Sequence, residues 1–274
     1  MSAGPRGSKL AGVTDAHNNN KEHLGMHNTA VRHPLLAWGL ALLVGLFALT
    51  AAARPANPYE LLQVHACRAT SSLLLYRGEG FQSQHLERLH QDLAALATTL
   101  QGVSGASPEL RQAHQELTDE LRRGLSFGYN EEDVPWDYTQ RLSKALRDFL
   151  TQASSQADSG PLELIPVQVE YLAVQYLFRS YIGTFEIARE AGDHYLGQDE
   201  RKLVPILDAE FAQLEASQPQ AMAKLRPRWQ YLRVALSDLN SGTTAMISSS
   251  GRSFAPTMVD RHTRSLTRAL LSLN

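Results

Sequence analysis

Few residues in this chain could do chemistry, and most of those stand apart. The single cysteine, Cys67, follows His65 in an H-x-C pair. Residues two apart on a helix diverge by about 200°, so this pair cannot share one metal ion. A lone cysteine in an apolar run reads as a small buried hydrophobe. His85, Glu87 and His90 come next. Five residues separate the two imidazoles, which sets them about 140° apart, off the i, i+4 geometry of a helical metal pair. That group reads as a solvated helix face. The best metal-like set is Glu186, Glu190, Asp193 and His194. A di-iron bundle needs Glu-x-x-His units with further glutamates, which this set lacks, and Gly192 would end its helix. No metal or cofactor is implied.

Two constellations suit binding rather than catalysis. Tyr171, Tyr176 and Tyr181, with Phe178 and Phe185 between and beyond them, could line a ligand pocket inside a helical bundle. At helical spacing the same rings also serve as plain core. Near the C-terminus, Arg252, Arg261, Arg264 and Arg268 face Asp260 alone. A basic amphipathic helix of this kind can dock on an acidic partner or an anionic membrane. The plainer alternative closes the bundle, with its arginines paired to acids elsewhere. The chain has no G-x-G-x-x-G, no G-x-x-x-x-G-K-[ST], no G-x-S-x-G and no H-E-x-x-H. Without convergent polar motifs, the reading is a binding protein rather than an enzyme.

Something must hold these residues in place, and the composition says what kind of scaffold. The chain has 274 residues, 43% hydrophobic and 20% charged, within the globular range. One cysteine excludes an internal disulfide framework and an all-cysteine zinc site. A net charge of −2 gives no footing for a nucleic-acid binder.

The charge is unevenly placed. Residues 35–53, LLAWGLALLVGLFALTAAA, form a run of 19 without a charge, close to the roughly 20 a helix needs to cross a bilayer. Trp38 sits near its start, and Arg32, His33 and Arg54 flank it. Ala51-Ala52-Ala53 would suit signal peptidase, but the long leader and the long apolar run favour an uncleaved signal-anchor. Before it, residues 1–34 carry +2 and four of the ten histidines, and read as a disordered tail on the cytoplasmic side. After it, residues 54–274 carry −4. Arginine outnumbers lysine 21 to 5, the bias of a GC-rich bacterial genome. These features place the domain in the periplasm, anchored by one span in the inner membrane.

Beyond Pro58 the pattern is helical throughout. Leu86, Leu89, Leu93, Leu96 and Leu100 step by three and four, as in a coiled-coil seam. Ser107-Pro108-Glu109 supplies a cap, a first-turn proline and an acid. Asn130–Asp133 offers a further start, and residues 154–160 form a loop that could divide two sub-bundles. The stretch 166–192 is apolar around most of its circumference and reads as the central helix. Asp199 caps another helix, bent near Pro205; residues 218–239 follow, with Pro227 able to kink or split them. Residues 240–251 form a polar loop before a last helix over 254–273. The expected fold is all-α: one transmembrane helix, then an antiparallel bundle of seven or eight helices. The expected role is docking on other envelope proteins or on a second copy of the chain. Ligand sensing through a partner protein is the alternative.

Overall fold

The computed structural model describes residues 57–182, 195–237 and 255–273. Among them are eight α-helices and no strand: α1 Pro58–Gly78, α2 Ser83–Gly102, α3 Pro108–Ser126, α4 Tyr138–Ser155, α5 Pro161–Tyr181, α6 Glu200–Ser217, α7 Pro219–Leu236 and α8 Pro256–Leu271. The expected helical bundle is what the chain forms. The apolar run 35–53 lies outside the described residues, and no helix among those described is long and apolar enough to cross a membrane.

Helix ends follow local chemistry. Asn57 caps α1 by accepting from the Tyr59 amide, Ser107 caps α3 from Leu110, and Asp199 caps α6 from Arg201. Proline opens α1, α3, α5, α7 and α8, where its missing N–H costs nothing. Pro166, Pro205 and Pro227 sit inside α5, α6 and α7, and each helix continues through its proline. The start expected at Asn130–Asp133 is a single 3-10 turn over Glu131–Asp133, and α4 begins five residues later. Trp136, between the two, is 85% exposed.

Two helices share the centre. α5 is buried around its circumference from Ile165 to Phe178, as its composition predicts. α1 is buried from Leu62 to Leu75 except at His65 and Arg68, which are half-buried, although more than half of the buried residues are Ala, Cys, Thr, Ser or Gln. Small residues let neighbouring backbones approach closely, so α1 is central without the apolar signal that marks α5. It packs against α2, α4 and α5, while α8 lies along α5. The turn at 156–160 separates the helices into two groups along the chain. Because α5 packs on α1, one cluster of buried apolar side chains runs through both.

The α1–α2 turn fixes where α2 begins. Gly80 and Phe81 both take positive φ, 81° and 60°, and the second is a strained position for a residue with a Cβ. Phe81 is held there by edge-on contacts with Tyr76 and Tyr129, at 5.2 and 4.4 Å between centroids, and by the Arg77 guanidinium over its ring.

Glu210 on α6 is buried, and its Oε2 has no hydrogen-bond partner among the described residues. Burial pushes its carboxyl up from 4.5 to about 7. A carboxyl raised on folding contributes stability that is fully present below its unfolded pKa and is lost as pH rises through its folded one. Glu210→Gln should therefore raise Tm by several degrees at about pH 8 and change it little at about pH 4.5. Identical melting curves at the higher pH would contradict this.

Candidate functional site

Six charged side chains meet where α1, α2, α5 and α8 converge. Arg264 on α8 is the hub: its side chain is 12% exposed, and it donates Nε to Asp260 at 2.8 Å and Nη1 to Asp92 at 2.9 Å. Its Nη2 reaches the Arg68 carbonyl at 3.0 Å and the Ser72 hydroxyl at 2.9 Å. Ser72 in turn donates to Asp92 at 2.7 Å. Arg68 on α1 donates to Glu170 on α5 at 2.7 Å, and both share the Thr267 hydroxyl of α8. Arg88 on α2 completes the set with Asp260 at 3.1 Å. Three guanidinium groups thus face three carboxylates, each hydrogen-bonded, which is the condition for burying charge at tolerable cost. Burial works against the charge of Arg264, but Asp260 and Asp92 outweigh it and hold its pKa above the ordinary value.

Polar bonds, rather than apolar packing, span α2 and α8, and the two helices form the walls of a cleft of about 830 Å³. Along the α8 wall, Thr257, Arg261, Arg264, Ser265 and Arg268 recur at helical spacing; along α2, Gln84, Arg88 and Gln91 do the same. Arg68 lies at the α1 side of the cleft. Among the described residues, five arginines therefore line a space that contains two carboxylates, Glu79 and Asp92. Asp92 is engaged by Arg264, and Glu79 accepts from the Tyr181 hydroxyl. Arg261 and Arg268 are exposed and form no ion pair with a described residue.

His85 also lines the cleft. It is 3% exposed, and neither ring nitrogen has a hydrogen-bond partner among the described residues. Burial, with Arg88 nearby, lowers its pKa, so the imidazole is neutral at pH 7 and offers one donor and one acceptor. The helix ends add to the positive field. Neither α2 nor α8 has a capping side chain or an acid in its first turn, and residues from both first turns line the cleft.

The sequence expectations divide here. Of the three arginines assigned to an interaction helix, Arg261 and Arg268 face the cleft, whereas Arg264 is engaged within the protein. Tyr171, Tyr176 and Tyr181 are not among the residues that line this cleft. Tyr171 is buried edge-on against Tyr195, at 5.2 Å, and accepts from the Gly197 amide; Tyr176 is buried; Tyr181 reaches Glu79. His85 belongs to a buried stripe, while Glu87 and His90 are solvated as expected. Cys67 is wholly buried, and burial raises its thiol pKa well above the ordinary value, so it is held as the unreactive thiol. His65 is lowered to about 4 by burial and then by Arg68. The set Glu186, Glu190, Asp193 and His194 lies outside the described residues, among which no metal-ligating cluster occurs.

One signal could have found the missed residues. His85 and Asp92 fall in phase with Leu89, Leu96 and Leu100, so two polar groups interrupt an otherwise apolar stripe. No family model, curated protein or solved structure matches this chain.

Breaking one pair in the network should be costly. Glu170→Ala leaves Arg68 and Thr267 without their carboxylate, with an expected loss of about 3–5 kcal/mol in denaturant unfolding. Glu87→Ala, on the solvated face, should stay within about 0.5 kcal/mol. A small effect at Glu170 would mean the network does not hold these helices together.

Proposed function

We propose that this chain is a membrane-anchored helical recognition protein of the bacterial cell envelope. Residues 35–53 hold it in the inner membrane, and residues 54–274 stand in the periplasm. Its binding surface is the cleft between α2 and α8, which selects ligands by negative charge. The observation that carries this reading is the surplus of positive charge among the described residues: Arg261 and Arg268 line the cleft and pair with no described acid. Arg68, Arg88 and Arg264 in the network are matched by acids, so unmatched ones grouped in the same concavity suit an anion. A membrane-bound protein that takes up an anion fits ligand sensing, with a partner envelope protein to relay occupancy.

Docking on that partner is the second component. Trp136 and Tyr129 are 85% and 78% exposed at the α3–α4 connection. Large exposed aromatics are the residue types that anchor protein interfaces.

Two measurements test the reading. Alkaline phosphatase fused after Asn274 should be active and a fluorescent protein at the same place dark; the reverse pattern would place the domain in the cytoplasm. In neutral detergent, pyrophosphate should raise the Tm of the full chain relative to chloride at equal ionic strength. Arg261→Glu with Arg268→Glu should abolish that rise. A pyrophosphate response that survives the double variant would remove the cleft from the account.

A further inference from the structure

The chemistry of the cleft narrows the anion it takes. Its volume of about 830 Å³ far exceeds a lone phosphate ion and falls in the range of small-molecule sites, about 300–1,000 Å³. Among the described residues the imidazole of His85 is the lone aromatic ring in the lining, and at 3% exposure it offers little platform on which a nucleobase could stack. Among the described residues Met258 is the lone apolar side chain in the lining, so an amphipathic peptide or acyl chain gains little there. Gln82, Gln84, Gln91, Thr257 and Ser265 instead present amides and hydroxyls, each able to donate and accept. Paired donor and acceptor groups of that kind match the hydroxyls of a polyol.

The charged groups fix the other half of the ligand. Arginine forks favour the planar, bidentate geometry of phosphoryl and carboxylate groups. Arg261 and Arg268 stand seven residues apart on one face of α8, an axial separation of about 10 Å. They suit anionic groups at two ends of a molecule better than one compact ion. A phosphoryl group carries about −1.5 to −2 at neutral pH, enough to match the charge of each arginine with a single such group.

We infer that the α2/α8 cleft binds a phosphorylated polyol, of the sugar-bisphosphate type, through Arg261 and Arg268 with the glutamines on its hydroxyls. This inference rests on the anion-selective reading of the cleft given above. Such a molecule can be a free solute or the headgroup of a phospholipid, and both share the chemistry recognised here.

Calorimetric titration of the full chain in neutral detergent tests it. Glucose 1,6-bisphosphate represents the free solute, and glycerophosphoinositol 4-phosphate represents a deacylated lipid headgroup. Pyrophosphate, glucose and hexaglutamate are the comparators. The expected result is saturable binding of one or both phosphorylated polyols at least tenfold tighter than pyrophosphate, with no binding of glucose. Tighter binding of the second polyol would point to a lipid source, and of the first to a free solute. Arg261→Ala with Arg268→Ala, at exposed positions that leave Tm unchanged, should weaken binding at least tenfold. Gln84→Ala with Gln91→Ala should weaken the polyols but not pyrophosphate. Binding of pyrophosphate equal to that of both polyols would overturn the polyol inference and leave the anion-selective cleft standing. Preference for hexaglutamate would do the same in favour of an acidic protein segment. If no anion binds, both fall together.

Discussion

A buried guanidinium sets the terms for the rest of this structure. Arg264 cannot shed its charge, and α8 carries it into the junction of four helices, where water does not compensate it. An unpaired charge there would cost several kcal/mol, so every neighbour must supply an acceptor. Asp260 comes from the same helix, Asp92 from α2, and a carbonyl and a hydroxyl from α1. Meeting that demand fixes the register of α8 against α1 and α2. It also explains why α1 carries Ser72 and Arg68 on a face that could have been wholly apolar.

The cleft follows from the same constraint. Helices joined by leucines close to within side-chain contact, while helices joined by long charged side chains stand apart. α2 and α8 are of the second kind, tied by Arg88–Asp260 and Arg264–Asp92. The space between them is lined by the polar residues that flank these ties. Because the carboxylates in the network are already engaged, Arg261 and Arg268, on either side of Arg264 along α8, meet no acid among the described residues. Structure and function are thus linked through charge balance: neutral inside the network, positive just beyond it.

The eight helices were largely legible in the sequence, because their punctuation is local. Pro-opened first turns, the caps Asn57, Ser107 and Asp199, and the leucine spacing of α2 each act within a few residues. The centrality of α1 was harder to read, because its buried face is built from Ala, Ser and Thr, whose packing value depends on what approaches them. The basic character of α8 was legible too, but not which arginine works inside. Arg264 meets Asp92 across 172 residues of chain, and no periodic pattern reports such a pairing. The polar interruptions at His85 and Asp92, in phase with buried leucines, were the available clue. Read as a solvated face, the His85 group concealed that clue, since spacing between histidines tests metal geometry but not burial.

The central claim is that Arg264 and Asp92 act as one unit that ties α8 to α2. A double-mutant cycle measures that most directly, with Arg264→Met, Asp92→Leu and the combined variant unfolded in denaturant. The account predicts a large loss in each single variant, a double variant less unstable than the two losses summed, and a coupling energy of about 2 kcal/mol or more. Losses that add within about 0.5 kcal/mol would show the two residues to be independent and would contradict it.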